Sequence, residues 1–536
     1  MSKNINLGTP LFGFVTGSLR IVFSALRIIQ KMAMEGSALS VFQMISKWMQ
    51  AKRQNKRHDQ NHQGMPQFTG PVTLKTLQEQ FKDCSDLTHY TLPELKADLL
   101  FFAHQLDPQA YERDVLRPLL NIRAEELEQL LRRSQYVPAV EGVDTVHKIL
   151  SGFVALIVPQ GVYLINAHGP EKRPVEQSES ETAISGPHDA FNESLATNLA
   201  LLRSKLKSNR LKVLEYTAGE VSKTKICILY IDGLANMEYV REMEDRIKKI
   251  EFSSLYDGTM LTQLIDDYPN ALFPLFQTSE RVDIALSKLN EGKLVVIEEN
   301  SPSVIIAPSS FFEFFTTPDD YYNRWVVGSA LRLLRYLAFV ITISLSPLYV
   351  AITTYHYEMI PENLLISLTE SRSRVPFPPI IEALLMETTI EMLREAGARL
   401  PTKIGQTIGI VGGIVIGTAA VQAGFTSNIL IIAVAMSAIA SFVVPSYIMS
   451  GSLRLIRFGL IILSGMLGNF GICAGIALLI IHLSKLTSLG APYTIPAAPL
   501  RPSDWVNIFI RGPFWALYKR PTQARSKNLY LNKMKK

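Results

Sequence analysis

Cysteine is scarce: Cys84, Cys227 and Cys473 are the only three in 536 residues, and they lie far apart. That spacing excludes a disulfide framework and offers no zinc ligand pattern. The nine histidines include no HExxH pair. There is no P-loop, no GxGxxG and no nucleophile elbow. The net charge of +6 is modest, and no basic stripe with interleaved aromatics appears, so nucleic-acid binding is not expected. No cofactor, no metal site and no catalytic residue is expected either.

Charge is missing where it matters most. The apolar runs at 404–424 and 427–449 contain no Asp, Glu, Lys or Arg. A soluble helix needs a wetted face, and these have almost none. With the runs beginning near 330 and covering 453–484, they organise the chain. Each is about 20 residues or longer, enough to cross a hydrocarbon core of roughly 30 Å. A mean hydropathy of +0.15 suits a soluble part joined to a membrane part.

No small-residue cleavage site follows the apolar residues 11–30, and Arg20 and Arg27 interrupt them, so a signal peptide is not expected. That stretch is open to three readings: an amphipathic helix on a membrane, a helix packed on the soluble part, or a poorly ordered arm. Residues 50–70 are polar and read as a flexible linker.

From 73 to 134 the pattern reads as helical, with Pro93 opening a helix. From Phe153 to Ile165 it reads as a β-hairpin around Pro159-Gln160-Gly161. A helix is expected over 189–206, strands over 212–216 and 225–231, and a helix over 237–250. Further strands follow over 293–298 and 303–307. Together they predict a soluble α/β region of two mixed subdomains, followed by a helical polytopic transmembrane domain. The expected boundaries are an N-terminal extension over 1–70, subdomains over 71–252 and 253–325, a transmembrane domain over 326–490, and a basic tail over 491–536. The aromatic cluster Phe311-Phe312-Glu313-Phe314-Phe315 suits either an interfacial belt or the core of the second subdomain.

A series of motifs then resembles one family. Ser185-Gly-Pro-His-Asp-Ala-Phe-Asn-Glu-Ser194 with Thr197-Asn198, and Ile231-Asp-Gly-Leu-Ala235, are similar to the soluble motifs of GerA-type spore germination proteins. Asp320-Tyr-Tyr-Asn-Arg324, Pro347-Leu-Tyr349, Tyr355-His-Tyr-Glu358 and Val375-Pro-Phe-Pro378 continue the resemblance. Glu395-Ala-Gly-Ala-Arg399, the glycine run 410–417, Arg511-Gly-Pro-Phe-Trp515 and Arg520-Pro521 complete it. The resemblance covers roughly residues 80–525. Arg281-Val282-Asp283 departs from an expected Arg-Pro-Asp, and Glu298-Glu299-Asn300 replaces an Asp-Gly type turn.

The resemblance implies the A subunit of a nutrient germinant receptor in the inner membrane of endospores. It implies a transporter-like B subunit that binds the nutrient and a lipoprotein C subunit as partners. It also implies a homo-oligomer of A subunits forming a cation channel. An accessory germination channel of the same family, without its own nutrient-binding partner, is the nearest alternative. A membrane-anchored enzyme using the α/β region is a remote one, because Asp232-Gly233 after a strand is more often a turn and cap than a site.

The membrane residues add two candidates of their own. Gly405, Gly409, Gly413 and Gly417 recur every four residues and form a stripe that lets helices approach closely, within one chain or between subunits. Glu387, Glu391 and Glu395 fall within about 80° of arc on a helix following Pro379. They read either as an ion path in an oligomer or as members of local pairs, Glu391 with Arg394 and Glu395 with Arg399. Glu382 sits apart, near the positive end of that helix. The basic flanks at 332–335, 394–403, 454–457 and 511–520 prefer the cytoplasmic side, which places the soluble region there. The run 453–484 must then cross an even number of times, with Gly468-Asn-Phe-Gly471 as the bend of a broken hairpin.

Overall fold

The structure, a computed structural model, describes residues 71–169, 181, 185–400, 413 and 415–531. Two five-stranded antiparallel sheets come first. The first runs β1 (Leu87–Leu92), β2 (Ala97–Phe102), β4 (Phe153–Val158), β5 (Gly161–Asn166) and β3 (Val137–Pro138) in spatial order. The second runs β6 (Leu211–Ala218), β7 (Thr224–Ile231), β9 (Leu294–Glu298), β10 (Val304–Ala307) and β8 (Gln277–Ser279). The hairpin expected at 153–165 forms, with Val158 opposite Gly161.

Two expectations change here. Residues 73–134 are not one helical stretch, because β1 and β2 lie inside it. Leu-Thr-His-Tyr-Thr-Leu carries the strand-favouring Thr88, Tyr90 and Thr91, and Ala-Asp-Leu-Leu-Phe-Phe is buried on both faces, so packing overrides the local Glu and Leu content. Pro93 opens only a single turn between these strands. The boundary at 252/253 also falls inside the second sheet, since β7 from before it pairs with β9 from after it. The break between sheets lies between Asn166 and Leu211 instead.

The second sheet's β7, β9 and β10 are buried on both faces, which is why these strands are nearly continuous apolar runs. Ile226, Ile228, Tyr230, Val296 and Ile305 pack against Val240, Met243 and Ile247 of the Met237–Lys248 helix. Cys227, Leu229, Val295, Ile297 and Ile306 face Leu199, Leu202, Ala285 and Leu289 on the other side. Each buried Leu or Ile contributes on the order of 1.5–3 kcal/mol. The departures from the family pattern fit without strain. Arg281 still holds Asp283 through two hydrogen bonds of 3.0 and 2.7 Å, with Val282 buried at the helix start. Asn300 takes the left-handed φ of 69° that a glycine would otherwise supply, and Asn tolerates it better than most residues.

The helical region follows. Trp325–Tyr355 and Tyr447–Lys485 are long and apolar enough to cross a membrane, and Asn428–Val443 is a shorter apolar helix. Trp325–Tyr355 has 31 residues, roughly 46 Å of helix. Tyr447–Lys485 breaks at Gly468, whose φ of 61° and ψ of −142° are not helical. Its two arms double back on each other. A Cβ on Gly471 would stand 2.0 Å from the Leu463 carbonyl oxygen, and one on Gly475 2.4 Å from Leu460 Cδ2. In one straight helix residues 460 and 475 would be about 22 Å apart. Both outer ends of this hairpin meet the soluble region: Met449, Leu453, Leu483 and Leu486 share a core cluster with Phe273 and Phe311.

Candidate functional site

Where the soluble sheets meet the helices, the sequence concentrates charge that burial then forces into pairs. Asp320 lies in a short helix, Asp319–Tyr322, just before the long helix. Its carboxylate and the Arg332 side chain are both fully buried. Arg332 Nε donates to Asp320 Oδ2 at 2.9 Å, and Arg335 Nη1 donates to both oxygens at 2.8 and 2.9 Å. One carboxylate thus grips the Trp325–Tyr355 helix about two and three turns from its start. Arg332 Nη1 also donates to the Asn507 carbonyl, and Ser329 Oγ donates to the Arg511 carbonyl at 3.0 Å.

Those last contacts come from the chain's C-terminal residues, which do not hang free as a basic tail. Arg511 donates to the Tyr321 carbonyl at 3.2 Å and Arg520 Nε to the Asn290 carbonyl at 2.8 Å. Tyr239 Oη donates to the Gln523 carbonyl at 3.1 Å, so the tail reaches the second sheet's covering helix. A second buried node stands beside it. Glu313 accepts from Lys293 at 2.5 Å and from Lys288 at 3.0 Å, and Lys293 also reaches Gln523 at 3.3 Å. Burial pushes the Glu313 carboxyl up, but the two lysines outweigh it and hold it down to about 2. The five-residue aromatic cluster packs here too, with Phe311 and Phe339 rings 5.8 Å apart edge to face. Two motif residues distant in sequence also meet: Gly186, with φ of 101°, is so close to Tyr322 that a Cβ would fall 2.4 Å from its ring.

The acidic stripe lies on the Pro379–Arg399 helix. Glu387 is fully buried and pairs with fully buried Arg457 at 2.7 Å, while Ser346 Oγ donates to its other oxygen at 2.6 Å. Glu391 stands 3.0 Å from Arg454 and 3.7 Å from Arg394, with its side chain 34% exposed. Glu395 pairs with Arg399 at 2.6 Å and is 59% exposed. The stripe is therefore graded, from a buried interhelical pair to an exposed local one. Both local pairs named in the sequence reading are present. Glu382 does not serve its own helix end. Its carboxylate accepts from Ser427 N and from Thr426 Oγ1, capping the positive end of the Asn428–Val443 helix.

Of the glycine stripe, Gly405 and Gly409 lie outside the described residues. Gly413 and Gly417 face open space, with nothing within 4 Å of a would-be Cβ. Among the described residues no group of three or more His, Cys, Asp or Glu is placed to hold a metal.

Sequence reasoning had Arg332, Arg335, Arg454 and Arg457 only as topology markers. An arginine inside an apolar run was the available signal of a buried partner.

One buried acid on the second sheet stands without a hydrogen-bond partner. Glu298 is 1% exposed and neither oxygen has one. Burial, with a smaller push from the Asp257 charge, raises it from 4.5 to about 7. It points to the core face shared with Leu489 and Ala491, the segment leaving the helical hairpin. An acid raised in the folded state is protonated there while the unfolded chain ionises. Stability is therefore expected to fall as pH rises from about 4.5 to about 7, by roughly 3 kcal/mol at most. Thermal midpoints of the wild type and Glu298→Gln at pH 5 and pH 7.5 check this. The variant is expected to lose most of the difference between the two values.

Comparison with known proteins adds four findings. The family described as Bacillus/Clostridium GerA spore germination protein matches residues 75–523. Spore germination protein GerQA of Bacillus cereus is 40% identical over 468 residues, covering 85% of this chain and 93% of that one. A Bacillus subtilis (strain 168) protein called uncharacterized membrane protein YfkQ is 36% identical over 415 residues, covering 76% of this chain and 81% of that one. The crystal structure of the N-terminal domain of the A subunit of the Bacillus megaterium spore germinant receptor GerK3 is similar at 22% identity. It covers 46% of this chain and 99% of that domain, with a TM-score of 0.35.

Proposed function

The chain belongs to the Bacillus/Clostridium GerA spore germination protein family, and from that premise we propose that it is the A subunit of a nutrient germinant receptor in the endospore inner membrane. Its helical region spans that membrane, and its two sheets lie on the cytoplasmic side. It works with a transporter-like B subunit that binds the nutrient and a lipoprotein C subunit. Copies of the A subunit assemble into a cation channel that opens on the signal.

The observation that carries this reading is the grip of Asp320 on Arg332 and Arg335. It ties the soluble sheets to the base of a helix long enough to span, so a rearrangement on one side has a stiff path to the other. The even number of crossings required by the basic flanks is supported by the hairpin turning at Gly468.

In this reading the exposed end of the acidic stripe faces the ion path. Glu387 holds the helix in place through Arg457 and Glu391 lies between Arg394 and Arg454, while Glu395, 59% exposed, presents the stripe's charge to cations around the assembled ring. Ion flux from liposomes holding the assembled receptor tests it, alongside an oligomer-size assay. The Glu391→Gln, Glu395→Gln double variant is expected to assemble normally and to lose cation selectivity. Unchanged flux and selectivity in a normally assembled variant would remove the stripe from the ion path and leave the uncharged runs at 404–424 and 427–449 as the candidates for its lining.

A further inference from the structure

Three arginines converge where the Pro379–Arg399 helix, the end of the Asn428–Val443 helix and the start of the hairpin meet. Arg394 comes from the first, and Arg454 and Arg457 come from the hairpin. They face two carboxylates, Glu387 and Glu391. Three guanidiniums against two carboxylates leave one positive charge in excess. Among the described residues no other carboxylate pairs with the three arginines, and from Ala396 to Ser503 there is no Asp or Glu at all. Glu395, the next acid on the helix, is taken by Arg399.

The donors are in excess as well. Arg457 is fully buried, yet its Nε and Nη1 have no hydrogen-bond acceptor among the described residues, and the same holds for Arg394 Nε. A guanidinium carries five N–H donors, and burying one without acceptors or counter-charge is expensive. The approach to the cluster is not sealed. Arg394 stacks 4.4 Å over the Phe442 ring and donates to Ser441 Oγ at 2.9 Å. Arg454 lies 5.9 Å from the Tyr447 ring centre. Phe442 and Tyr447 are 70% and 71% exposed, so two aromatic rings flank the cluster on its outer side.

We propose that Arg394, Arg454 and Arg457 form a binding site for a singly charged phosphate group. Such a group supplies the missing negative charge and accepts from planar guanidinium forks, which match its oxygens in geometry. The phosphate of a phospholipid headgroup and free inorganic phosphate share this chemistry. The flanking rings suit the first, since Tyr and Phe at this level sit well against acyl chains and headgroups.

The test uses the full chain purified in neutral detergent, with its thermal midpoint as readout. Added phosphatidylglycerol is compared with phosphatidylcholine at equal mole ratio, and sodium phosphate with sodium chloride at equal ionic strength. A ligand that binds only the folded state raises the midpoint. Phosphatidylglycerol is expected to raise it by several degrees more than phosphatidylcholine. R394Q and R454Q are expected to lose most of that difference, and E391Q, which adds to the positive excess, to enlarge it. An equal shift from sodium phosphate alone assigns the site to the free anion. No preference for phosphatidylglycerol and no response to phosphate overturns the proposal, as does a full shift in folded R454Q. Should R454Q not fold, E391Q decides: a shift no larger than wild type overturns it, because a purely structural Glu391 gives no reason for tighter anion binding.

Discussion

Replacing Asp320 with asparagine is expected to deplete the protein. The substitution keeps the shape and removes the charge, leaving fully buried Arg332 without a counter-ion and Arg335 without its main acceptor. Breaking a buried pair by removing one partner costs about 3–5 kcal/mol. A loss of that size lowers the steady-state amount of a protein several-fold or more. Arg335→Gln should cost less, because Arg335 keeps 12% exposure and Arg332 still neutralises Asp320. Quantitative blotting of membrane fractions and the thermal midpoint of purified protein read both variants. A wild-type amount and midpoint for Asp320→Asn would mean that the clasp does not hold the two parts together.

Glu387→Gln should give the second large effect, and burial sets its size. Glu387 and Arg457 are both fully buried, so the variant leaves a buried guanidinium without its paired carboxylate, again at about 3–5 kcal/mol. Glu395→Gln removes a pair whose members are 59% and 77% exposed, for which a cost of about 0–1 kcal/mol is expected. Glu391→Gln should fall between them. The double variant Glu387→Gln, Arg457→Gln returns the cluster to its original charge balance and should recover most of the loss, a coupling that a double-mutant cycle measures directly. Equal costs along the stripe would contradict the graded burial. A double variant no better than Glu387→Gln alone would contradict the pairing.

Much of the second sheet was readable in advance because β7, β9 and β10 are short apolar runs bounded by polar turns. The strands at 225–231 and 294–298 fall where the pattern puts them. In the first sheet the 153–165 hairpin was readable too, but β1 and β2 were not, because Leu-Pro-Glu-Leu and the Glu-rich stretch further on carry helix signals, while the strand-forming residues win through long-range pairing. The broken hairpin was legible from Gly468 and Gly471 together with the charge at its ends. The partners of the buried arginines were not. Asp320 and Arg332 are 12 residues apart, Glu387 and Arg457 are 70 apart, and sequence spacing says nothing about contacts at that range. The docking of the tail was hidden for a further reason. Its arginines look solvated by composition, yet Arg511 and Arg520 are spent on backbone carbonyls of other segments.

The central claim is that one membrane separates the hairpin tip from the two sheets. Accessibility to a membrane-impermeant thiol reagent tests it in vesicles of defined orientation. Cys473 is exposed and is replaced by serine, whereas Cys84 and Cys227 are buried and can stay. Val221→Cys reports the soluble side, where Val221 is 73% exposed, and Phe470→Cys reports the tip, where Phe470 is 73% exposed. In right-side-out vesicles Phe470→Cys should label and Val221→Cys should not, and inverting the vesicles should exchange the two. Labelling of both positions from the same side would contradict the account.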